Sequence, residues 1–240
     1  MVSLAPMEGL TTIYYRRALA RWFGGVDRYF TPFLTPTQDH RFTKRELREV
    51  LLEHNGGLPT VPQLLTRNAE DFLWAAGELA AMGYREVNLN LGCPSGTVVA
   101  KGKGSGFLAH PAELDAFLEE IFSKAPCAIS VKTRIGLKDP EEFPVLLAIY
   151  RKYPLAELIV HPRVRTDMYK NTPGGTALGR RWRTPPSRCA TTGTSAPQTT
   201  PPGSRPPFRR RSGSCWAGGW QEILPWPAAS RAALLPGGRN

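Results

Sequence analysis

The sequence predicts an α/β protein with a parallel sheet, and three observations in its first 173 residues lead to this fold class. Strand-like and helix-like segments alternate six times, at intervals of about 25–35 residues, as expected for parallel strands joined by outer helices. Gly and Pro separate the segments. Polar residues stand at the ends of several strands, where this class places its chemistry. Six units fit either an open doubly wound sheet or part of an eight-stranded (β/α)8 barrel.

The N-terminal half is predicted to contain three strand–helix units. Each strand is a short apolar run, and each helix has a terminal Gly. Thr12 and Asn68 are the candidate N-caps of the first and third helices. The predicted strands are residues 3–7, 28–34 and 59–65, and the predicted helices are residues 11–25, 43–57 and 67–83.

Three further units are predicted in residues 86–163. The strand in residues 86–92 alternates apolar and polar side chains, and Pro111 suits the first turn of the helix after it. Pro144 is expected to disturb the next helix. The predicted strands are residues 86–92, 127–133 and 157–163, and the predicted helices are residues 110–124 and 139–152.

Composition excludes several classes of protein. No run of about 18 apolar residues is present, so we expect no membrane partner, and the N-terminus lacks the pattern of a signal peptide. The four Cys lie far apart without metal-ligand spacing, and a disulfide framework is unusual in a chain of this length. These features predict a cytoplasmic protein, without a metal site, which we expect to be a monomer.

The net charge of +11 is concentrated in residues 174–240. These 67 residues contain 10 Arg, one Glu and neither Lys nor Asp, and 51 of them are Ala, Gly, Pro, Arg, Ser or Thr. Such a composition is typical of a low-complexity segment, and its Arg and Trp residues suit contact with RNA. The sequence therefore divides into residues 1–173 and an Arg/Pro/Gly-rich tail, 174–240.

Polar residues at the ends of predicted strands are the candidates for chemistry: Gln63, Asn90, Lys132 and His161. Cys93 follows the fourth strand in a Gly-Pro loop; a lone Cys is most often a small buried hydrophobe, but the polar loop favours a functional thiol. Lys132 extends to solvent or points at a ligand, and His161 packs in the core or lines a site. The segment "KGKGSG" (101–106) lacks the spacing of a phosphate loop and is interpreted as a mobile loop.

Five motifs together resemble the tRNA-dihydrouridine synthases, in order and in spacing, over residues 3–173. They are "LAPMEGLTT" (4–12), "VPQLL" (61–65), "NLNLGCPS" (88–95), "VKTRIG" (131–136) and "HPRVRTDMY" (161–169). The Gly-Cys-Pro triplet alone is weak, because dihydroorotate dehydrogenases carry a similar loop; the first and last motifs favour the tRNA enzymes. The resemblance implies a (β/α)8 TIM barrel, here truncated to about six β/α units, as a partial flavin-binding catalytic domain.

The resemblance also implies the roles of individual residues. The backbone of Pro6, Met7 and Glu8 would lie against FMN, with Gln63 and Lys132 on the isoalloxazine edge. Asn90 and His161 would line the flavin or the uracil; we place His161 with the cofactor. Asn90, Arg134 and Arg163 are assigned to the substrate, a D-loop uridine of tRNA.

In the reaction that the resemblance implies, NADPH reduces FMN, a hydride passes to C6 of the uridine, and Cys93 is the general acid. That acid must reach to about 3 Å from C5, and the target uridine must leave the tRNA stack.

The tail is predicted to be an out-of-frame translation of the same gene. Two motifs hold the FMN phosphate in the resembling family: one like Tyr-Asn-Gly-Asp-Ile after the seventh strand, and Gly-Arg-Gly-Leu-x-x-Asn-Pro after the eighth. Back-translation of residues 189–195 ("CATTGTS"), read from the third base of each codon, permits Tyr-Asn-Gly-Asp-Ile. The same offset in residues 212–225 permits Gly-Arg-Gly-Leu-Ala-Gly-Asn-Pro. Two motifs in one shifted frame indicate a break near Pro173.

Three functions remain open on the sequence: an FMN- and NADPH-dependent tRNA-dihydrouridine synthase, a dihydroorotate-dehydrogenase-like flavin enzyme, and a non-enzymatic RNA-binding protein that uses the basic tail. As written, the chain would lack two barrel strands and the helical domain with which the family grips tRNA. We therefore expect unpaired sheet edges, a tail that is mostly coil, aggregation and no activity.

Overall fold

The fold is a barrel of eight parallel strands with helices on its outside. The computed structural model describes residues 2–170, 189–192 and 214–216, and the strands pair in chain order around a closed ring. The strands are β1 (Val2–Leu4), β2 (Arg28–Leu34), β3 (Thr60–Leu64), β4 (Glu86–Leu91), β5 (Ala128–Arg134), β6 (Leu158–His161), β7 (Cys189–Thr192) and β8 (Ser214–Trp216).

Seven α-helices and three 3₁₀ helices connect the strands in the described part of the chain. The α-helices are α1 (Ile13–Trp22), α2 (Lys44–Val50), α3 (Leu52–Asn55), α4 (Ala69–Ala81), α5 (Gly96–Val99), α6 (Pro111–Lys124) and α7 (Phe143–Tyr150). The 3₁₀ helices are Gly104–Ala109, Pro140–Glu142 and Arg165–Asp167. The six predicted β/α units of residues 1–173 are confirmed, and the barrel rather than the open sheet is the correct alternative.

The barrel is closed by two short strands of the tail, and our expectation of unpaired edges was wrong. Strand β7 pairs with β6, with Leu158 opposite Cys189, and β8 pairs with β1, with Leu4 opposite Trp216. A ladder uses only backbone N–H and C=O groups, so a Pro-free run of three or four residues can complete it without an alternating side-chain pattern. The expected coil over the rest of the tail lies outside the described residues.

Two predictions about helices needed correction. Residues 43–57 form two helices, because Leu51 is extended at ψ 126° between α2 and α3. Pro144 does not disturb α7, because it lies in the first turn, where its missing N–H leaves no helical hydrogen bond unmade. The predicted cap Asn68 is confirmed: its side chain accepts a hydrogen bond from the Asp71 N–H at 2.9 Å.

The core lies mainly between the strands and the helices α4, α6 and α7, where apolar side chains such as Phe72, Leu118 and Leu147 pack on β4 and β5. At the amino-terminal end of the barrel, Arg28 pairs with Glu86 at 2.5 Å and with Glu157 at 2.9 Å. These ion pairs join the starts of the alternate strands β2, β4 and β6 across the end of the barrel. The candidate functional site lies at the opposite end of the barrel, where the strands finish. No helix in the described ranges is long and apolar enough to cross a membrane.

Candidate active site

A pocket of about 480 Å³ opens at the carboxyl ends of the strands. In a parallel barrel this is the end at which loops of different strands converge. Nine of the ten residues that the sequence singled out line this pocket. They are Pro6, Met7, Glu8, Gln63, Asn90, Cys93, Lys132, Arg134 and His161. The tenth, Arg163, lies behind His161 and is buried, so it is not on the wall.

A chain of side-chain hydrogen bonds links the neighbouring strands β3, β4 and β5 beneath the pocket. Asn90 Nδ2 donates to Gln63 Oε1 at 2.8 Å, and Gln63 Nε2 donates to Asn88 Oδ1 at 2.8 Å. Asn88 in turn donates to Ser130 Oγ at 2.9 Å. These bonds fix which end of the Gln63 amide is the acceptor, and they leave it one N–H and one lone pair for a ligand.

Cys93 lies in the loop after β4, with its backbone N–H held by the strand. Asn90 Oδ1 accepts hydrogen bonds from the N–H groups of Gly92 at 3.0 Å and of Cys93 at 2.9 Å. Burial raises the pKa of the Cys93 thiol, while a backbone hydrogen bond from Ser95 and the cations Arg134 and Lys132 act in the opposite direction. The raised pKa keeps the thiol protonated at neutral pH.

Two cations of β5 stand on the wall of the pocket. Lys132 is half-buried and lines the cavity. Arg134 is buried, and its guanidinium donates to the carbonyls of Gly92 at 2.9 Å and Val164 at 3.0 Å. Arg134 therefore connects the Cys93 loop to the chain after β6, and only its remaining N–H groups are available to a ligand.

His161 is a neutral imidazole. Burial first, and then the cations Lys132, Arg134 and Arg163, lower the pKa of His161 to about 2. Arg163 Nη1 lies 3.2 Å from His161 Nε2. Because a guanidinium can only donate, Nε2 is the acceptor and the imidazole carries its hydrogen on Nδ1.

The loop after β1 contributes its backbone to the pocket. The N–H of Met7 donates to Thr11 Oγ1 at 2.9 Å, and the carbonyl of Met7 accepts from the Thr11 N–H at 3.0 Å. The Glu8 carboxylate forms an exposed ion pair with Arg45, at 2.6 Å. This turn holds Pro6 and Met7 at the rim independently of the Glu8 carboxylate.

The donor set of the pocket fits the ring of a flavin. The amide of Gln63 and the ammonium of Lys132 face the same cavity as the half-buried ring of Phe33 and the exposed side chains of Met168 and Tyr169. Hydrogen-bond donors and a positive charge beside apolar surface suit a planar ring that becomes anionic on reduction. The loops after β7 and β8, to which the sequence assigned the phosphate, lie outside the described residues.

Sequence reasoning missed several residues of the pocket. Phe33 could have been found, because it stands near the carboxyl end of a predicted strand as Gln63 and Lys132 do. Met168 and Tyr169 lie within the motif "HPRVRTDMY", but no role was given to them. Met168 has a positive φ of 52°, an uncommon backbone conformation for a side chain other than Gly. Among the described residues, no group of three His, Cys, Asp or Glu is placed to hold a metal ion.

The segment 101–106 is not the loop that we expected. Gly104 to Leu108 are buried, and residues 104–109 form a 3₁₀ helix that packs on the Cys93 loop. The Gly-rich sequence serves close packing here: a Cβ at Gly106 would lie 2.8 Å from the carbonyl oxygen of Val99. A count of Gly and Lys in sequence does not separate a mobile loop from a close-packed turn.

The closed ring of parallel strands and the pocket at their carboxyl ends define the class of the protein as a (β/α)8 barrel. Residues 3–174 match the family model of dihydrouridine synthase (Dus). The chain belongs to the dihydrouridine synthase family.

Three relatives illustrate the similarity, and each aligns over 168 residues, 70% of this chain and 51% of its own length. The probable tRNA-dihydrouridine synthase 2 of Bacillus subtilis (strain 168) is 32% identical. The probable tRNA-dihydrouridine synthases of Staphylococcus epidermidis (strain ATCC 12228 / FDA PCI 1200) and Staphylococcus aureus (strain COL) are 33% and 32% identical. The matched part of the chain thus spans about half the length of these relatives.

Proposed function

We propose that the intact, in-frame protein reduces the C5–C6 bond of a uridine in tRNA to dihydrouridine, with FMN as cofactor and NADPH as reductant. Membership of the dihydrouridine synthase family and the names of the relatives support this activity. They favour it over the dihydroorotate-dehydrogenase-like alternative. We further propose a D-loop uridine as the target, a monomer and a cytoplasmic location.

The position and protonation of Cys93 carry the proposal. When bound, FMN would supply the hydride that adds to C6. The Cys93 S–H bond breaks and its proton goes to C5, so that one hydride and one proton are added in total. The raised pKa of the thiol keeps the proton available at neutral pH. Lys132 and Arg134 then stabilise the thiolate until it takes a proton from solvent.

The other wall residues bind and orient. In this proposal Lys132 and Gln63 hold the edge of the flavin ring, and neutral His161 lines the cavity beside it. Asn90 and Arg134 donate hydrogen bonds to the uracil from the N–H groups that their internal hydrogen bonds do not use. Arg163, which is not on the wall, acts through its hydrogen bond to His161.

The test is Cys93→Ala in the frame-restored enzyme. We expect FMN content and NADPH-driven flavin reduction to match the parent, while dihydrouridine formation falls by about 10²–10⁴-fold. Cys127→Ala is the matched control, because Cys127 is also half-buried but does not line the pocket. Product formation by Cys93→Ala within threefold of the parent would end the proton-donor assignment.

We propose that residues 174–240 are an out-of-frame translation, and that the 240-residue chain binds no FMN tightly and makes no dihydrouridine. The support is that both phosphate-loop motifs are permitted at one codon offset. Resequencing the DNA around the codon of Pro173 tests the frame directly, and an unbroken frame would refute it. A genuine RNA-binding tail predicts instead that deletion of residues 174–240 abolishes RNA binding by the chain as written.

A further inference from the structure

The carbonyl of Cys93 is held by a residue that does not line the pocket. Ser105, at the start of the 3₁₀ helix Gly104–Ala109, donates twice to Cys93 O: from its backbone N–H at 3.1 Å and from Oγ at 2.8 Å. Ser105 is fully buried. The hydroxyl therefore cannot hydrogen-bond to water instead, and the bond to Cys93 O forms whenever the loop has this conformation.

Gly104 brings this helix against Cys93 at a distance that only Gly permits. Its φ is +57°, in the left-handed region, and a Cβ built on it would lie 2.9 Å from Cys93 O and 3.0 Å from Cys93 Cβ. The close approach is what allows both donors of Ser105 to reach one carbonyl oxygen.

The two peptide groups of Cys93 are thus held from opposite sides. Asn90 of β4 accepts from the Cys93 N–H, and Ser105 donates to its C=O. Arg134 of β5 fixes the preceding carbonyl, that of Gly92. With the backbone fixed on both sides, rotation about the Cα–Cβ bond of Cys93 alone sets the direction of the thiol.

We propose that Ser105, with Gly104, is a positioning residue that keeps the Cys93 thiol against the wall of the pocket. Ser105 touches neither the cavity nor a ligand and acts only through the Cys93 backbone. The consequence for catalysis rests on the proposed role of Cys93 as proton donor. The positioning itself is a property of this chain and can be measured without activity.

The experiment measures the alkylation rate of each cysteine in the 240-residue chain with iodoacetamide, resolved by peptide mass spectrometry. Ser105→Ala removes the hydroxyl and keeps the backbone donor. We expect Cys93 to react about 2- to 12-fold faster in this variant, the range that corresponds to one neutral hydrogen bond. Cys127 serves as the internal control and should keep the parent's rate. Ser123→Ala, an exposed serine on α6 whose hydroxyl also bonds a carbonyl, should change neither.

Two outcomes overturn the proposal. An unchanged Cys93 rate in Ser105→Ala shows that the hydroxyl does not hold the loop. Equal acceleration of Cys93 and Cys127, both in Ser105→Ala and in the second variant Gly104→Ala, shows general loosening rather than local positioning. Selective acceleration of Cys93 in Ser105→Ala supports it; where that variant accelerates both cysteines, selective acceleration of Cys93 in Gly104→Ala supports it instead.

A kinetic arm separates this inference from the proposed function. In the frame-restored enzyme, Ser105→Ala should lower kcat for dihydrouridine by about 2- to 12-fold, with the KM for tRNA and NADPH-driven flavin reduction unchanged. If Cys93→Ala keeps full product formation, the proton-donor role fails, while the alkylation result still decides whether Ser105 positions the thiol. If Cys93→Ala is inactive and Ser105→Ala matches the parent in both assays, only the positioning role is overturned.

Discussion

His161 is buried and has three neighbouring cations, so protonation of its imidazole destabilises the folded state. Its pKa is lowered to about 2, whereas an unfolded His titrates near 6.5. Between these values the unfolded chain binds the additional proton, so stability is full above pH 6.5 and falls as the pH decreases. We expect His161 to remove about 2 kcal/mol of stability between pH 7 and pH 5.

The measurement is the free energy of unfolding by urea at both pH values, for the parent and for His161→Gln. The variant should lose about 2 kcal/mol less than the parent over this interval. Ser123→Ala is the control, because it changes an exposed side chain on α6 and should lose as much stability as the parent over this interval. Equal losses of unfolding free energy in the parent and in His161→Gln would contradict the assignment of His161 as a buried neutral residue.

Lys132 supplies a positive charge to the part of the pocket that we assign to the flavin ring. Lys132→Ala in the frame-restored enzyme should reduce the FMN content after purification, because a charge-assisted hydrogen bond of about 1.5–3 kcal/mol is lost. Absorbance of the released flavin per protein measures the effect. Lys124→Ala, on the surface of α6, should keep the parent's content. Equal flavin content in the parent and in Lys132→Ala would end the cofactor role of Lys132.

At the scale of elements, a buried ion pair joins α1 to the break between α2 and α3. Arg16 is fully buried; it donates to Glu49 Oε2 at 3.0 Å and to the carbonyl of Glu49 at 2.8 Å. The same Oε2 accepts from the backbone N–H of Ile13 at 2.7 Å, and Asn55 Oδ1 accepts from Arg16 at 2.9 Å. Glu49 thus accepts from the first N–H of α1 and also compensates the charge of Arg16 on the same helix.

Glu49→Ala should therefore be strongly destabilising, because it leaves the Arg16 guanidinium buried without a counter-charge. We expect a loss of about 3–5 kcal/mol in the free energy of unfolding, measured by urea denaturation. Glu120→Ala is the control: Glu120 forms an exposed i,i+4 pair with Lys124, worth about 0.3–0.5 kcal/mol. Comparable losses for the two variants would show that the buried pair contributes no more than a surface pair.

At the scale of the whole molecule, we expect stability to depend on the two strands from the tail that close the barrel. Removal of residues 174–240 deletes β7 and β8 and exposes the backbone edges of β6 and β1. Each lost ladder bond costs about 0.5–1.5 kcal/mol, and open edges promote association. We expect the chain 1–173 to aggregate, and its β1 and β6 amides to exchange hydrogen faster than those of the full chain.

The matched control is the chain 1–216, which keeps both strands and lacks only residues 217–240. It should retain the amide protection of β1 and β6 in a hydrogen-exchange measurement. If 1–173 and 1–216 were equally protected and equally free of aggregates, the pairing of β7 and β8 would contribute nothing to the barrel.

Local patterns predicted much of this molecule because they reflect local physics. The strands β2 to β6 and the helices α4 and α6 follow from apolar periodicity, caps and terminal Gly, which act within a few residues. The break at Leu51 and the folded 3₁₀ helix at Gly104 were missed, since both depend on contacts with distant backbone. Tyr84, 34 residues from Val50, donates to the Val50 carbonyl beside that break. The sequence around Leu51 contains no pattern that predicts a partner so far along the chain.

The sequence by itself determined the α/β class, the six units, the family and nine of the residues around the pocket, because strand ends and family motifs are properties of order along the chain. Only the tertiary structure decided that the barrel is closed, that Arg163 stands behind His161, and that Ser105 holds the carbonyl of Cys93. These facts depend on which backbone and side-chain groups meet across the barrel. Hydrogen bonds and burial between distant segments are set by the packing of the whole, which short patterns do not encode.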